Sequence, residues 1–129
     1  MGAIKTFEDL ECWKAGNEVR RFFTTVTNKF PKNEYSFIDN VKRAARSVTN
    51  NMAEGYGRFH FQENIQYCRH SRGSLYELLD DLIIAKDDQY ITEDEFKKGK
   101  ELIEKTLAIL NGYINYLVKA KDSTKKVAE

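Results

Sequence analysis

Six cationic side chains crowd the middle of this chain: Lys42, Arg43, Arg46, Arg58, Arg69 and Arg72. Ammonium and guanidinium groups hold phosphates by charge and by forked hydrogen bonds. This set is therefore the candidate nucleic-acid contact, for RNA or DNA. Lys42 and Arg46 stand four apart, and Arg43 and Arg46 three apart. On a helix both spacings set like charges side by side, which is mildly destabilising. An acid from elsewhere, or a bound polyanion, offsets that repulsion. One chain offers too few such groups to bind a polyanion tightly, whereas copies brought together by symmetry would pool them into a basic ring.

Other chemistries find no support in the residues. A di-metal carboxylate bundle needs paired Glu-x-x-His motifs, and neither His60 nor His70 follows a Glu by three. The chain has no Gly-rich phosphate loop and no nucleophile elbow. Cys12 and Cys68 match no zinc or redox spacing, so a reduced, intracellular protein is expected. The expectation is a cytoplasmic protein that is not an enzyme and uses no metal or cofactor. His70, between Arg69 and Arg72, reads as a surface or interface residue. Trp13, Phe59, Phe61 and Tyr67 are aromatic groups that stack on bases or form an intersubunit patch when exposed. Core is the default for Trp13. Phe59 and Phe61 flank His60 at a helix corner, where interface and core are equally weighted.

These groups must be positioned by helices. The chain has 129 residues, 41% hydrophobic and 32% charged, which fits one folded domain with one core. One proline and seven glycines are too few for a sheet-rich protein with many turns. A net charge of +1 excludes a polycation that binds nucleic acid by bulk charge. No apolar run approaches the ~20 residues of a membrane span, and the acidic start of the chain has no signal-peptide core. Apolar residues recur at three- and four-residue steps in four segments. The first opens at Thr6, with Asp9 as the capping acid, and runs through Trp13, Val19 and Phe23 to Phe30, where Pro31 stops it. The second is expected to start near Ser36 and to end at Gly55 and Gly57. The third spans about Phe61 to Lys86. The fourth begins at the Thr92–Glu95 capping box and ends near Ala120. Short connections make neighbours antiparallel, so the expected fold is an all-α, up-down-up-down four-helix bundle. It occupies residues 1–120, with 121–129 a polar tail that frays.

Charge is uneven along this order. Between Tyr35 and Leu75 six bases face three acids, a net +3. Between Tyr76 and Glu104 ten acids face four bases, a net −6. Such polarity steers partners or drives self-association, although solvated helix faces look the same. Glu54, in the last turn of the second helix, opposes the helix dipole and calls for a cation, with Arg58 the nearest. A structural ion pair at that corner is the leading reading. Gly73 in mid-helix costs ~1 kcal/mol against Ala; close approach of the Ala44/Ala45 face is the expected compensation.

Arg43-Ala44-x-x-Ser47-x-x-x-Asn51-x-Ala53-Glu54-Gly55-x-x-Arg58, then Arg72-Gly73-Ser74-x-x-Glu77-Leu78, together with Phe7-x-x-Leu10-x-x-Trp13 and Phe30-Pro31-x-x-Glu34, form a specific combination. In these residues the chain resembles the small bacterial four-helix-bundle family of proteins encoded in intervening sequences of large-subunit ribosomal RNA genes. It departs from the family pattern at Asn40, at Thr49 and at His70-Ser71-Arg72. The resemblance implies a bundle that assembles into a ring, typically a homopentamer, with Asn51, Glu54, Gly55, Gly73, Ser74 and Glu77 as its structural and interface motif. Relatives include accessory proteins of diversity-generating retroelements, which bind nucleic acid and a reverse transcriptase. The family has no established enzymatic activity, and the ribosomal label attached to it reflects gene location.

The expected function is thus a non-catalytic, ring-forming bundle that engages RNA or DNA through phosphates. The alternative is an oligomeric scaffold or accessory subunit for a partner enzyme, docking through the acidic end at Asp80, Asp81, Asp87 and Asp88.

Overall fold

The computed structural model describes the backbone of residues 3–128 and the side chains of residues 3–124. Four helices dominate it: α1 (Glu11–Val26), α2 (Tyr35–Gly57), α3 (Phe61–Asp87) and α4 (Glu93–Ala128). No strand occurs among the described residues. Neighbouring pairs pack in the order α1–α2, α2–α3, α3–α4 and α4–α1. Their contacts run in opposite senses along each pair, as in an antiparallel bundle. Lys29 meets Glu95 while Glu18 meets Lys105. Lys86 meets Glu93 while Gln62 meets Lys121.

The apolar periodicity becomes the core. Val19 and Phe23 on α1, Val48 and Met52 on α2, Leu75 and Leu78 on α3, and Ile103 and Leu110 on α4 are all at most 1% exposed. Each such side chain contributes roughly 1.5–3 kcal/mol on burial. Buried polar groups are satisfied locally: the Ser71 hydroxyl donates to the Val48 carbonyl at 2.7 Å, and Thr106 to Leu102 at 2.7 Å. Gly99 lets α4 approach α1 and α3 closely, since a Cβ there would stand 2.7 Å from the Phe22 ring and 2.9 Å from Leu82.

Several local expectations are corrected. The first helix is broken: a 3-10 turn at Phe7–Asp9 precedes an extended Leu10, and a second turn at Thr27–Lys29 closes α1 before Pro31. Asp9 does cap, accepting the backbone N–H of Lys5 at 2.8 Å and of Thr6 at 3.2 Å. The second helix is capped by Glu34, not Ser36, because the turn from Pro31 to Glu34 leads straight into it. Gly55 and Gly57 lie within α2, and neither adopts positive φ. The left-handed residue of that corner is Phe59, at φ 59°. The expected frayed tail is helical through Ala128, with Lys121 donating to Gln62 at 2.9 Å; Glu129 lies outside the described residues.

A Cβ added at Gly73 would meet nothing within 4 Å, so close packing does not account for this glycine. The approach of α2 to α3 is made instead at Gly55, where a Cβ would stand 2.8 Å from Asn64 Oδ1 and 2.9 Å from Tyr67 Cβ. The Thr92–Glu95 box is formed as expected: Glu95 accepts the Thr92 N–H at 2.9 Å, and Thr92 Oγ1 accepts the Glu95 N–H at 3.1 Å.

Candidate nucleic-acid interface

The outward stripe of α2 carries Asp39, Arg43, Arg46 and Asn50, spaced three or four apart so that one face presents all of them. Arg43, Arg46, Ser47, Asn50, Asn51 and Asp39 line an open depression of about 400 Å³. Arg43 Nη2 lies 4.0 Å from Asp39 Oδ2, with both side chains 76% exposed. A pair that exposed is worth ~0–1 kcal/mol and leaves the guanidinium available. Among the described residues, no carboxylate lies within salt-bridge distance of Arg46. Asn51 Nδ2 donates to the Ser47 carbonyl at 2.8 Å, which fixes its amide at the rim.

The other four cations do not line this depression. Lys42 is half-buried at the edge of the same stripe. Arg58 lies twelve residues beyond Arg46, about 18 Å along the helix. Its Nη2 reaches Glu54 Oε1 and the Tyr67 hydroxyl, each at 2.9 Å, its Nη1 lies 3.9 Å from Glu63, and its head stacks 5.3 Å from the Tyr67 ring centroid. The Glu54 hydrogen bond, first, and then the nearby Tyr67 hold this guanidinium above the usual arginine range. Glu54 thus has the cation expected at its helix end. Arg69 is exposed on α3, and Arg72 is half-buried, donating to Asn111 Oδ1 on α4 at 2.9 Å. Helical pitch explains the dispersal, because clustering in sequence over thirty residues spreads groups over several faces and two helices.

The structural motif is brought together more fully. Ser47 Oγ donates to Ser74 Oγ at 2.5 Å across α2 and α3, and Ser74 in turn donates to the His70 carbonyl at 3.2 Å. Gly55 is buried at the same seam. Glu77 is exposed one turn from Asp81. Asp81 is half-buried; burial, then the charges of Glu77 and Asp80, push its pKa up to about 6. Asp39, Ser47 and Asn50 are depression residues that a search for cations in the sequence passes over; their shared spacing with Arg43 and Arg46 is the available signal.

A second concavity lies at the far end of the bundle. Ile4, Tyr56, Phe59, Phe61, Tyr113 and Tyr116 are among the residues around a depression of about 380 Å³. Phe59 is 83% exposed and Tyr116 63%. Trp13 instead packs edge-on against Phe7 at 5.4 Å beside the core, and Tyr67 is half-buried under Arg58. The two cysteines are buried and reduced, and burial raises the thiol of Cys12 to about 11 and that of Cys68 to about 12. Among the described residues, no group of three or more His, Cys, Asp or Glu side chains is placed to hold a metal ion, and no helix is long and apolar enough to cross a membrane.

No curated protein matches the chain. Its four helices and its motif residues, from the first helix to the middle of the fourth, coincide with a known sequence pattern: residues 8–112 match the 23S rRNA-intervening sequence protein family, and the chain belongs to that family.

Proposed function

We propose that this protein is a non-catalytic, self-assembling bundle of the cytoplasm that holds RNA or DNA by its phosphates along the outward stripe of α2. The observation that carries this reading is the shared depression of Arg43 and Arg46, in which two guanidinium groups sit beside the hydroxyl and amides of Ser47, Asn50 and Asn51. Guanidinium forks bind phosphate oxygens, and neutral polar groups complete the contacts to backbone and sugar.

Two cations per chain are few, so pooling by several copies is part of the reading. An exposed apolar stripe on α3 supports this part of the reading. Tyr76 and Ile83 stand seven residues apart on one stripe, 56% and 42% exposed, beside the unfilled space at Gly73. A ring of five is the assembly the family resemblance implies.

The test is a double variant, Arg43→Glu with Arg46→Glu, titrated with RNA and DNA over a series of salt concentrations. Affinity falls for every sequence, and the slope of log affinity against log salt flattens by about 1.4–1.8 for each chain that engages the strand. Unchanged affinity in the double variant removes the reading.

A second reading has one observation in its favour. Asp81 is half-buried beside Glu77 and Asp80, and among the described residues no salt bridge reaches any of the three. A basic protein partner docking there would supply one, and a pull-down that survives nuclease treatment supports it.

A further inference from the structure

The aromatic depression at the far end of the bundle is unused by the phosphate reading. Its volume, about 380 Å³, falls in the roughly 300–1,000 Å³ range of small-molecule sites. Its walls are ring faces and edges. Tyr113 and Tyr116 stack at 6.3 Å with 13° between their planes, and Tyr56 and Phe59 lie 6.2 Å apart. Its polar atoms are few, and their hydrogen bonds have a definite direction.

Asn64 is 8% exposed and held at both ends of its amide. Its Oδ1 accepts from Cys68 Sγ at 3.5 Å, and its Nδ2 donates to Tyr113 Oη at 3.1 Å. Tyr113 Oη is therefore the acceptor in that bond. A phenol has one O–H to give, and among the described residues nothing accepts it. Burial raises the Tyr113 pKa to about 12, so the proton remains on the oxygen throughout the neutral range. The depression thus holds a half-buried donor with no partner among the described residues.

Phe59 adds a second feature. Its backbone is held in the left-handed region, which a bulky L-residue rarely adopts. Strain of that kind persists at ligand sites, and here the ring gains no burial within the chain to offset it. Of the residues lining the depression, none is Lys, Arg, Asp or Glu. His60 is the one basic side chain on the lining, and the rest offers a neutral ring faces to stack on.

We propose that this depression binds a planar heteroaromatic ring carrying a hydrogen-bond acceptor, the chemistry of an unpaired nucleobase, which stacks on Phe59 and Tyr116 while its carbonyl or ring nitrogen accepts the Tyr113 hydroxyl proton. The identification of a strand as the source of that ring rests on the phosphate reading; the ring chemistry itself is shared by a free nucleoside. Two sequence-tolerant parts would then make one selective whole. Phosphates are present in every nucleic acid, but an unpaired base is presented only by single strands, loops and bulges.

The experiment uses the full chain and three probes: adenosine and uridine, which lack phosphate; an unstructured ten-nucleotide RNA; and a hairpin of matched length. Binding is followed by calorimetry and by the Asn64 side-chain amide resonance. Two variants test the contact, each checked for its fold by thermal melting. Tyr113→Phe removes the O–H donor together with the acceptor of the Asn64 amide, so its binding is compared with its own unliganded spectrum and melt, and Phe59→Gly removes an exposed ring while relieving its backbone. Each should weaken the ring contact about tenfold. Nucleosides that saturate and lose affinity in both variants show that a free ring suffices. Silent nucleosides, with a single-strand-over-hairpin preference that both variants abolish at unchanged salt slope, place the ring in a strand. The proposal is overturned if neither nucleoside nor strand binding depends on Tyr113 and Phe59. It is also overturned if Phe59→Gly dissociates the assembly in sedimentation, because the depression is then a contact between copies. The Arg43→Glu, Arg46→Glu chain separates the two readings: it retains nucleoside binding and loses only the strand's electrostatic share.

Discussion

Ser47 on α2 donates its hydroxyl proton to Ser74 on α3 across 2.5 Å, and this bond marks the closest polar crossing of the two helices. One turn on, Ser71 donates to the Val48 carbonyl. Small hydroxyl side chains thus let α2 and α3 approach while satisfying the groups they bury. Replacing Ser47 by Val inserts bulk into that seam and removes the bond across it, leaving Ser74 only its bond to the His70 carbonyl. Chemical denaturation should show a loss of about 1–3 kcal/mol. A double-mutant cycle with Ser47→Ala and Ser74→Ala should return a coupling of about 0.5–1.5 kcal/mol.

Two glycines on neighbouring helices should respond oppositely to alanine. At Gly55 the new Cβ collides with Asn64 and Tyr67, including the Asn64 backbone oxygen at 3.2 Å, which has no flexible end to move. Gly55→Ala should cost about 1–3 kcal/mol despite its better helix propensity. At Gly73 nothing lies within 4 Å, so Gly73→Ala should stabilise the isolated chain by about 0.5–1 kcal/mol. Thermal melts of the two variants decide the matter by the sign of the shift.

Asp81 sets a pH dependence. Its folded pKa is raised to about 6, chiefly by burial, while the unfolded value is about 3.9. Between these values the folded state binds more protons than the unfolded state. Asp81 therefore lowers stability as pH rises from about 4 through 6, and the full penalty is present at neutral pH and above. Asp81→Asn should raise stability at pH 8 by about 1 kcal/mol, a figure discounted for partial exposure, and should leave it unchanged at pH 4. An equal gain at both pH values would falsify the assignment.

Both thiols should resist modification. With Cys12 and Cys68 buried and their pKa values at about 11 and about 12, little thiolate exists at pH 8. A disulfide reagent should label neither cysteine in the folded chain and both after unfolding. Rapid labelling of the native protein would mean that this part of the core opens readily.

The helical elements were legible because each buries a broad apolar stripe, and stripes of Leu, Val, Ile and Phe at helical spacing leave little choice of fold. The breaks were less legible. Leu10 is an apolar residue that fits the stripe of the first helix, yet it is extended, and the Phe7–Asp9 turn hides within a continuous helical pattern. Phe59 was equally hidden. Glycines on either side of Tyr56 pointed to a glycine stop, but tertiary packing placed Gly55 at a helix contact and left the strained conformation to a phenylalanine. The candidate site was half legible. Residue type identified Arg43 and Arg46, while counting cations along the chain took no account of rotation about two helix axes. Pairing with Glu54 removed Arg58, and Asn111, distant in sequence, engaged Arg72.

The small number of cations at the α2 depression has a quantitative consequence. If the depression holds phosphates as proposed, each chain brings two guanidinium groups to the strand, and binding strength becomes chiefly a matter of avidity. When copies share one strand, the second and later attachments are intramolecular, so occupancy climbs steeply with the number of linked chains. A protein built this way would ignore polyanions while dilute and grip them once its copies come together, with concentration itself acting as the switch.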